Sequence, residues 1–134
     1  MENEHKYIYV DQDLLKTIYD KNNITPNDFY GDVLFIGMGD LYFPKKIDVN
    51  SITIVEKYSD VIELQKSKIP KEWTIIQEDG YVFETKRKYD VIMLDMWYYM
   101  ITKEELNQQI KRYMKFLNDG GKILYLETIK LNLK

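Results

Sequence analysis

Apolar and polar positions fall into two periods along the chain. Short apolar runs recur at Val33-Leu34-Phe35-Ile36, Ser51 to Val55, Trp73 to Gln77, Asp90 to Leu94 and Lys122 to Leu126. Runs of this length, rich in branched residues and bounded by turn formers, predict strands, the central ones buried on both faces. Lys6 to Val10 adds a short β-prone run that suits an edge strand.

Between the runs the spacing becomes helical. Asp11 caps a segment with Asp13 in its first turn, Leu14, Leu15, Ile18 and Tyr19 share one face, and Lys21-Asn22-Asn23 ends it. Thr25-Pro26-Asn27-Asp28 predicts a helical turn with Thr25 as cap and Pro26 at its first position. Only a small helix, starting at Pro44, fits between Leu41 and Asn50. Ser59 is read as the cap of a helix carrying Val61, Ile62 and Leu64, stopped by Pro70. A short helix is expected over Tyr81 to Glu84. Thr102 and Glu105 form a capping box, with Ile101 and Leu106 as its staple. Leu106, Ile110, Tyr113, Met114 and Leu117 form the apolar stripe of that helix, and Asn118-Asp119-Gly120-Gly121 ends it.

Strands thus alternate with helices. The expected fold is α/β, a three-layer Rossmann-like sandwich around a mostly parallel sheet with right-handed crossovers. One domain is expected over 1–134, with an N-terminal strand and helices in 1–31 and the core in 32–127.

Composition narrows the chemistry. At 134 residues, 45% hydrophobic and 31% charged, the chain fits one soluble globular domain. No apolar run is long enough for a bilayer. Met1-Glu2-Asn3-Glu4-His5-Lys6 lacks the pattern of a signal peptide, so a cytoplasmic protein is expected. Without cysteine there is no disulfide or thiol nucleophile, and a single histidine gives little support to a metal site or a Ser–His–Asp triad. The net charge of −3 argues against nucleic acid, and Lys86-Arg87-Lys88 is read as a solvated loop. No Gly-Lys-Ser/Thr exists for a Walker P-loop. Tyr42 stands where a nicotinamide fingerprint needs its third glycine.

Gly37, Gly39, Asp40, Glu56, Asp79 and Asp95 follow the ends of four successive expected strands. In a parallel sheet those ends share one edge, where α/β folds bind ligands. The glycines let the backbone turn sharply and let a ligand approach. A carboxylate after the second strand can accept both hydroxyls of a ribose, and one after the third can accept an exocyclic amine. The acidic set suits a cationic small-molecule ligand better than a polyphosphate.

With these motifs in order, the chain resembles the class I S-adenosylmethionine-dependent methyltransferases. The carrying residues are Val33-Leu34-Phe35-Ile36-Gly37-Met38-Gly39-Asp40, Ile54-Val55-Glu56, Glu78-Asp79-Gly80-Tyr81-Val82-Phe83, Tyr89-Asp90-Val91-Ile92-Met93-Leu94-Asp95 and Leu117-Asn118-Asp119-Gly120-Gly121. Within that superfamily it looks most like the spermidine synthase branch. The resemblance spans roughly 32 to 127 and implies strand order 3-2-1-4-5. It implies that Gly37 and Gly39 pass close to the methionine part of S-adenosylmethionine or its decarboxylated form, with Asp40 beside the amino-acid or aminopropyl end. It further implies that Glu56 holds the ribose, Asp79 meets the adenine amine with Gly80 beside the ring, and Asp95 is the catalytic acid that orients or deprotonates an acceptor.

The chain departs from the pattern in four places. Leu41 replaces the third glycine. Met96-Trp97-Tyr98-Tyr99 replaces a Ser-Ser-Asp-Pro type run, and these aromatics can wall a pocket or cover an interface. The branch's N-terminal β-domain, its last two strands and its C-terminal helices are expected to be missing. Dimerisation through an exposed sheet edge or the aromatic surface is expected. Two other readings stand beside a transferase: a non-catalytic binding or regulatory domain, and an enzyme that lyses or hydrolyses S-adenosylmethionine without an acceptor.

Overall fold

The computed structural model describes residues 19–38, 41–95 and 102–126. Five strands, β1 (Asp32–Ile36), β2 (Ser51–Glu56), β3 (Thr74–Gln77), β4 (Tyr89–Leu94) and β5 (Leu117–Tyr125), form one sheet in the order β3-β2-β1-β4-β5. Every pairing is parallel. Strand order and direction are those expected. The Lys6–Val10 strand and the Leu14, Leu15 and Ile18 face lie outside the described residues.

The period of two sorts the central strands onto two faces. Val33, Phe35, Ile52, Ile54, Val91 and Met93 join one cluster, which also takes Tyr19, Phe29, Phe43 and Val61 of helix α1 (Ser59–Gln65). Leu34, Ile36, Val55, Ile92 and Leu94 join the other, against Leu106 and Tyr113 of helix α2 (Lys103–Met114). Both faces of the sheet are therefore covered, which is why its middle strands read as unbroken apolar runs.

The α2 capping box forms as expected. Thr102 N donates to Glu105 Oε1 at 3.0 Å and Glu105 N donates to Thr102 Oγ1 at 3.1 Å. The staple residue Ile101 is outside the described residues. Thr25 caps the 3-10 turn Pro26–Asp28, whose Asp28 carboxylate accepts from Thr25 N at 2.8 Å. Asn23, at φ 59°, ends the helical residues 19–21 in the left-handed region.

Several local expectations need correction. Tyr58, not Ser59, occupies the N-cap of α1, and Leu64 and Met114 are exposed rather than core-facing. Residues 42–46 and 80–82 form hydrogen-bonded turns, not helices, because each is too short to close a helical ladder. β5 begins at Leu117, so Asn118-Asp119-Gly120-Gly121 is not a helix stop. The register jumps from Tyr89↔Leu117 to Val91↔Lys122, so the run bulges out of the strand, with Gly120 at φ 80°.

The amino-terminal edge of the sheet is tied by polar side chains. Asp90 Oδ2 accepts from Asp32 N at 2.9 Å, and Asp90 Oδ1 accepts from Asn118 Nδ2 at 3.1 Å. Asp32 Oδ1 accepts from Ser51 Oγ and Asn50 Nδ2, both at 2.7 Å. These bonds, Ser51 first, hold the Asp32 carboxyl below its usual range. Gly31 sits against this cluster at φ 68°, and a Cβ there would collide with the Asp90 carboxylate. Gly31→Ala is expected to cost about 2 kcal/mol from left-handed strain and that collision. Urea denaturation measures it; an unchanged midpoint would contradict the packing described.

Candidate functional site

The opposite edge, where the strands end, collects the acidic residues. Backbone bonds stitch the strand ends together. Gly37 N donates to Val55 O at 2.8 Å, Asp95 N to Ile36 O at 3.0 Å, and Glu78 N to Glu56 O at 3.1 Å. Gly37 has φ 105°, a conformation open to glycine and closed to other residues, so β1 can turn here only because of it.

Glu56 is the centre of this edge. It closes β2 and is 6% exposed. Its Oε1 accepts from Met38 N at 2.8 Å and its Oε2 from Tyr58 N at 3.1 Å. A buried carboxylate is costly unless hydrogen-bonded, and these two amides supply that compensation. One side chain thereby fixes the loop after β1 and the loop after β2. Gly39 and Asp40, the next sequence-predicted residues, lie outside the described residues.

Leu41, at the third-glycine position, has φ 67° and is buried, its N donating to Met38 O at 3.1 Å. The backbone here takes a glycine-like conformation without a glycine. The departure noted in the sequence therefore leaves Leu41 itself in a left-handed conformation.

Asp95 follows β4 and is half-buried. Tyr19 Oη lies 2.7 Å from both of its carboxylate oxygens. Tyr19 stacks on Tyr42, centroids 5.4 Å apart, and meets Phe43 edge-on at 4.0 Å. Lys46 lies over the Tyr42 ring at 5.0 Å. An aromatic block thus stands beside the carboxylate. Trp97, Tyr98 and Tyr99, which the sequence offered as pocket walls, lie outside the described residues.

Asp79 and Gly80 follow β3 farther along the same edge. Asp79 Oδ1 accepts from Tyr81 N at 2.9 Å, and Asp79 O accepts from Val82 N at 3.1 Å. The carboxylate therefore shapes the turn it belongs to. Lys57 Nζ approaches its Oδ2 at 3.7 Å. Gly80 O accepts from Tyr113 Oη at 2.7 Å and from Arg112 Nη2 at 2.6 Å.

Tyr19, Met38, Arg112 and Tyr113 were not singled out from sequence as site residues. Tyr19 and Tyr113 read as helix-face apolar positions, and the partner of the Tyr19 hydroxyl is 76 residues away. No local signal could find these contacts.

Burial pushes the Tyr113 phenol well above its ordinary pKa of 10.0, with Arg112 acting in the opposite sense. The folded state favours the neutral phenol, so its contribution is intact below that ordinary value and declines as pH rises above it. The decline is about 1.4 kcal/mol per pH unit. Tyr113→Phe should lower stability at neutral pH and flatten this alkaline loss. Denaturant midpoints near about pH 8 and about pH 11 test it; an equally steep loss in the variant would refute the assignment.

No protein-family model matches the chain. Uncharacterized methyltransferases of Bacillus cereus and Bacillus anthracis are 29% identical to it over 120 residues, covering 88% of this chain and 53% of theirs. The chain thus spans about half the length of the curated relatives it matches. Among solved structures, the DhpI-SAM-HEP complex superposes with TM-score 0.70 at 13% identity, covering 84% of this chain and 55% of that one. An S-adenosylmethionine-dependent methyltransferase from Clostridium acetobutylicum gives 0.62 at 17% identity, covering 87% and 50%. The N-methyltransferase NodS from Bradyrhizobium japonicum gives 0.60 at 19% identity, covering 84% and 63%. The fold is the Rossmann-like α/β fold of these methyltransferases.

Proposed function

We propose that this chain carries an S-adenosylmethionine site and supplies the donor-binding part of a methyltransferase. The observation that carries the reading is Glu56, a buried carboxylate at the end of β2 that also grips Met38 N beside the Gly37 turn. A carboxylate has about four acceptor directions, so one that is already oriented by two amides can also receive ribose hydroxyls. Support also comes from the names of the Bacillus relatives and of the Clostridium acetobutylicum and NodS structures, which are methyltransferases.

In this reading Gly37 and Gly39 leave room for the methionine part, with Asp40 at its amino-acid end. Asp79 accepts the adenine amine and Gly80 lies beside the ring. The bound donor would supply an electrophilic methyl group on a sulfonium. In-line transfer forms the acceptor–carbon bond as the carbon–sulfur bond breaks and its electron pair returns to sulfur. Asp95 then takes the acceptor's proton.

Aminopropyl transfer, the spermidine-synthase-like chemistry, is the second reading. Asp95 at the end of β4 favours it, being where the resemblance puts an acid that orients an amine. The same proposal includes a homodimer through β5, which among the described residues pairs only with β4 and exposes Tyr125.

Calorimetric titration with S-adenosylmethionine, its decarboxylated form and S-adenosylhomocysteine tests the site. Wild type should bind, and Glu56→Ala should bind at least about tenfold more weakly, since a charged acceptor is removed. No binding of any of the three by wild type would overturn the reading, and the preferred donor separates the two transfers. Asp95→Asn should keep donor affinity and lose about 10²- to 10⁴-fold in turnover. Normal turnover by that variant would remove Asp95 from catalysis.

A further inference from the structure

The segment between β3 and β4 has no helix of its own. From Glu78 to Lys88 it is a turn followed by irregular chain, yet Gly80 and Phe83 within it are buried. What holds it is the last turn of α2. The Arg112 guanidinium spans the turn, Nη2 donating to Gly80 O at 2.6 Å and Nη1 to Phe83 O at 2.7 Å. Tyr113 Oη donates to the same Gly80 O at 2.7 Å.

The clamp is itself held in place. Arg112 lies over the Tyr113 ring at 4.6 Å, its Nε donates to Gln109 Oε1 at 3.1 Å, and Nη1 is 3.6 Å from Glu84 Oε2. A planar, forked guanidinium can bind two carbonyls in fixed directions at once, which a lysine cannot. Burial raises the Tyr113 phenol, so it stays a donor over the physiological range. The result is three hydrogen bonds on two carbonyls, directed at the one turn that carries Asp79.

We propose that Arg112 and Tyr113 are positioning residues that hold the Asp79–Phe83 turn as the purine-reading wall of the site. The proposal rests on the S-adenosyl reading above. Neither side chain need touch the ligand. They set where the Asp79 carboxylate stands, and so how strictly a 6-amino purine is preferred over a 6-oxo purine. A carboxylate accepts from an amino group and repels a carbonyl oxygen at the same place. Selectivity therefore depends on that carboxylate being held in position.

The test is the affinity of the full chain for S-adenosylhomocysteine and for S-inosylhomocysteine, in wild type, Tyr113→Phe, Arg112→Lys and Asp79→Asn, with a melting curve for each. Wild type should prefer the adenosyl ligand. Each clamp variant should lose about tenfold for the adenosyl ligand and much less for the inosyl one, so that the preference shrinks. Asp79→Asn should shrink it too, and adding Tyr113→Phe to Asp79→Asn should have little further effect. A general loss of structure would lower both affinities together, so an equal fall overturns the proposal, as do unchanged affinities in folded variants. Arg112 is partly exposed, so Arg112→Lys carries the comparison if the buried Tyr113→Phe does not fold. Wild type that binds neither ligand overturns the S-adenosyl reading and the clamp with it. Wild type that binds both, with variants indistinguishable from it, overturns the clamp alone.

Discussion

A charge taken out of water organises the edge of the sheet where the strands end. The Glu56 carboxylate is buried, and removal of a carboxylate from water costs several kcal/mol unless donors replace the lost solvent. The donors are two backbone amides from two different loops, Met38 N and Tyr58 N. Neither loop can move far without exposing that cost. A side chain that terminates β2 therefore ties down Met38 after β1, next to the turn that Gly37 makes possible.

The same sheet uses acidic residues for opposite purposes at its two ends. Asp32 and Asp90 stand where strands begin, and their oxygens are taken up by Ser51, Asn50, Asn118 and a backbone amide. They register the strands. Glu56, Asp79 and Asp95 stand where strands finish, each joined to a loop or a tyrosine. Parallel pairing forces this division, since it brings all the beginnings to one edge and all the ends to the other. Strand direction alone tells a structural aspartate from a candidate functional one.

That logic explains what could be read in the sequence. Strand identity, parallel pairing and the sharing of one edge by Gly37, Glu56, Asp79 and Asp95 all follow from period, from alternation with helices and from chain direction. The α2 capping box was legible because its residues are three apart. What escaped was long-range or marginal. The Tyr19 hydroxyl finds its carboxylate across the sheet, and the Arg112 fork finds two carbonyls 32 and 29 residues away. No periodicity encodes such pairs. The helices expected over Pro44 and over Tyr81 to Glu84 were too short for propensity to decide, and they resolved into turns. The Asn118–Gly121 run carries turn chemistry in the sequence, and the structure spends it on a bulge inside β5 instead of a helix stop.

Leu41 carries a consequence for how this chain can vary. Its backbone sits at φ 67°, which costs a residue with a Cβ about 1–2 kcal/mol, while its side chain is buried in the core. Glycine would relieve the backbone but forfeit burial worth about 1.5–3 kcal/mol, leaving a cavity besides. Branching at Cβ would deepen the strain, and asparagine, which tolerates the conformation, would bring an amide into an apolar cluster. Each of these exchanges trades one loss for another. The position is thus locally constrained: a glycine here would need a compensating change in the surrounding core to fill the space that the leucine side chain leaves.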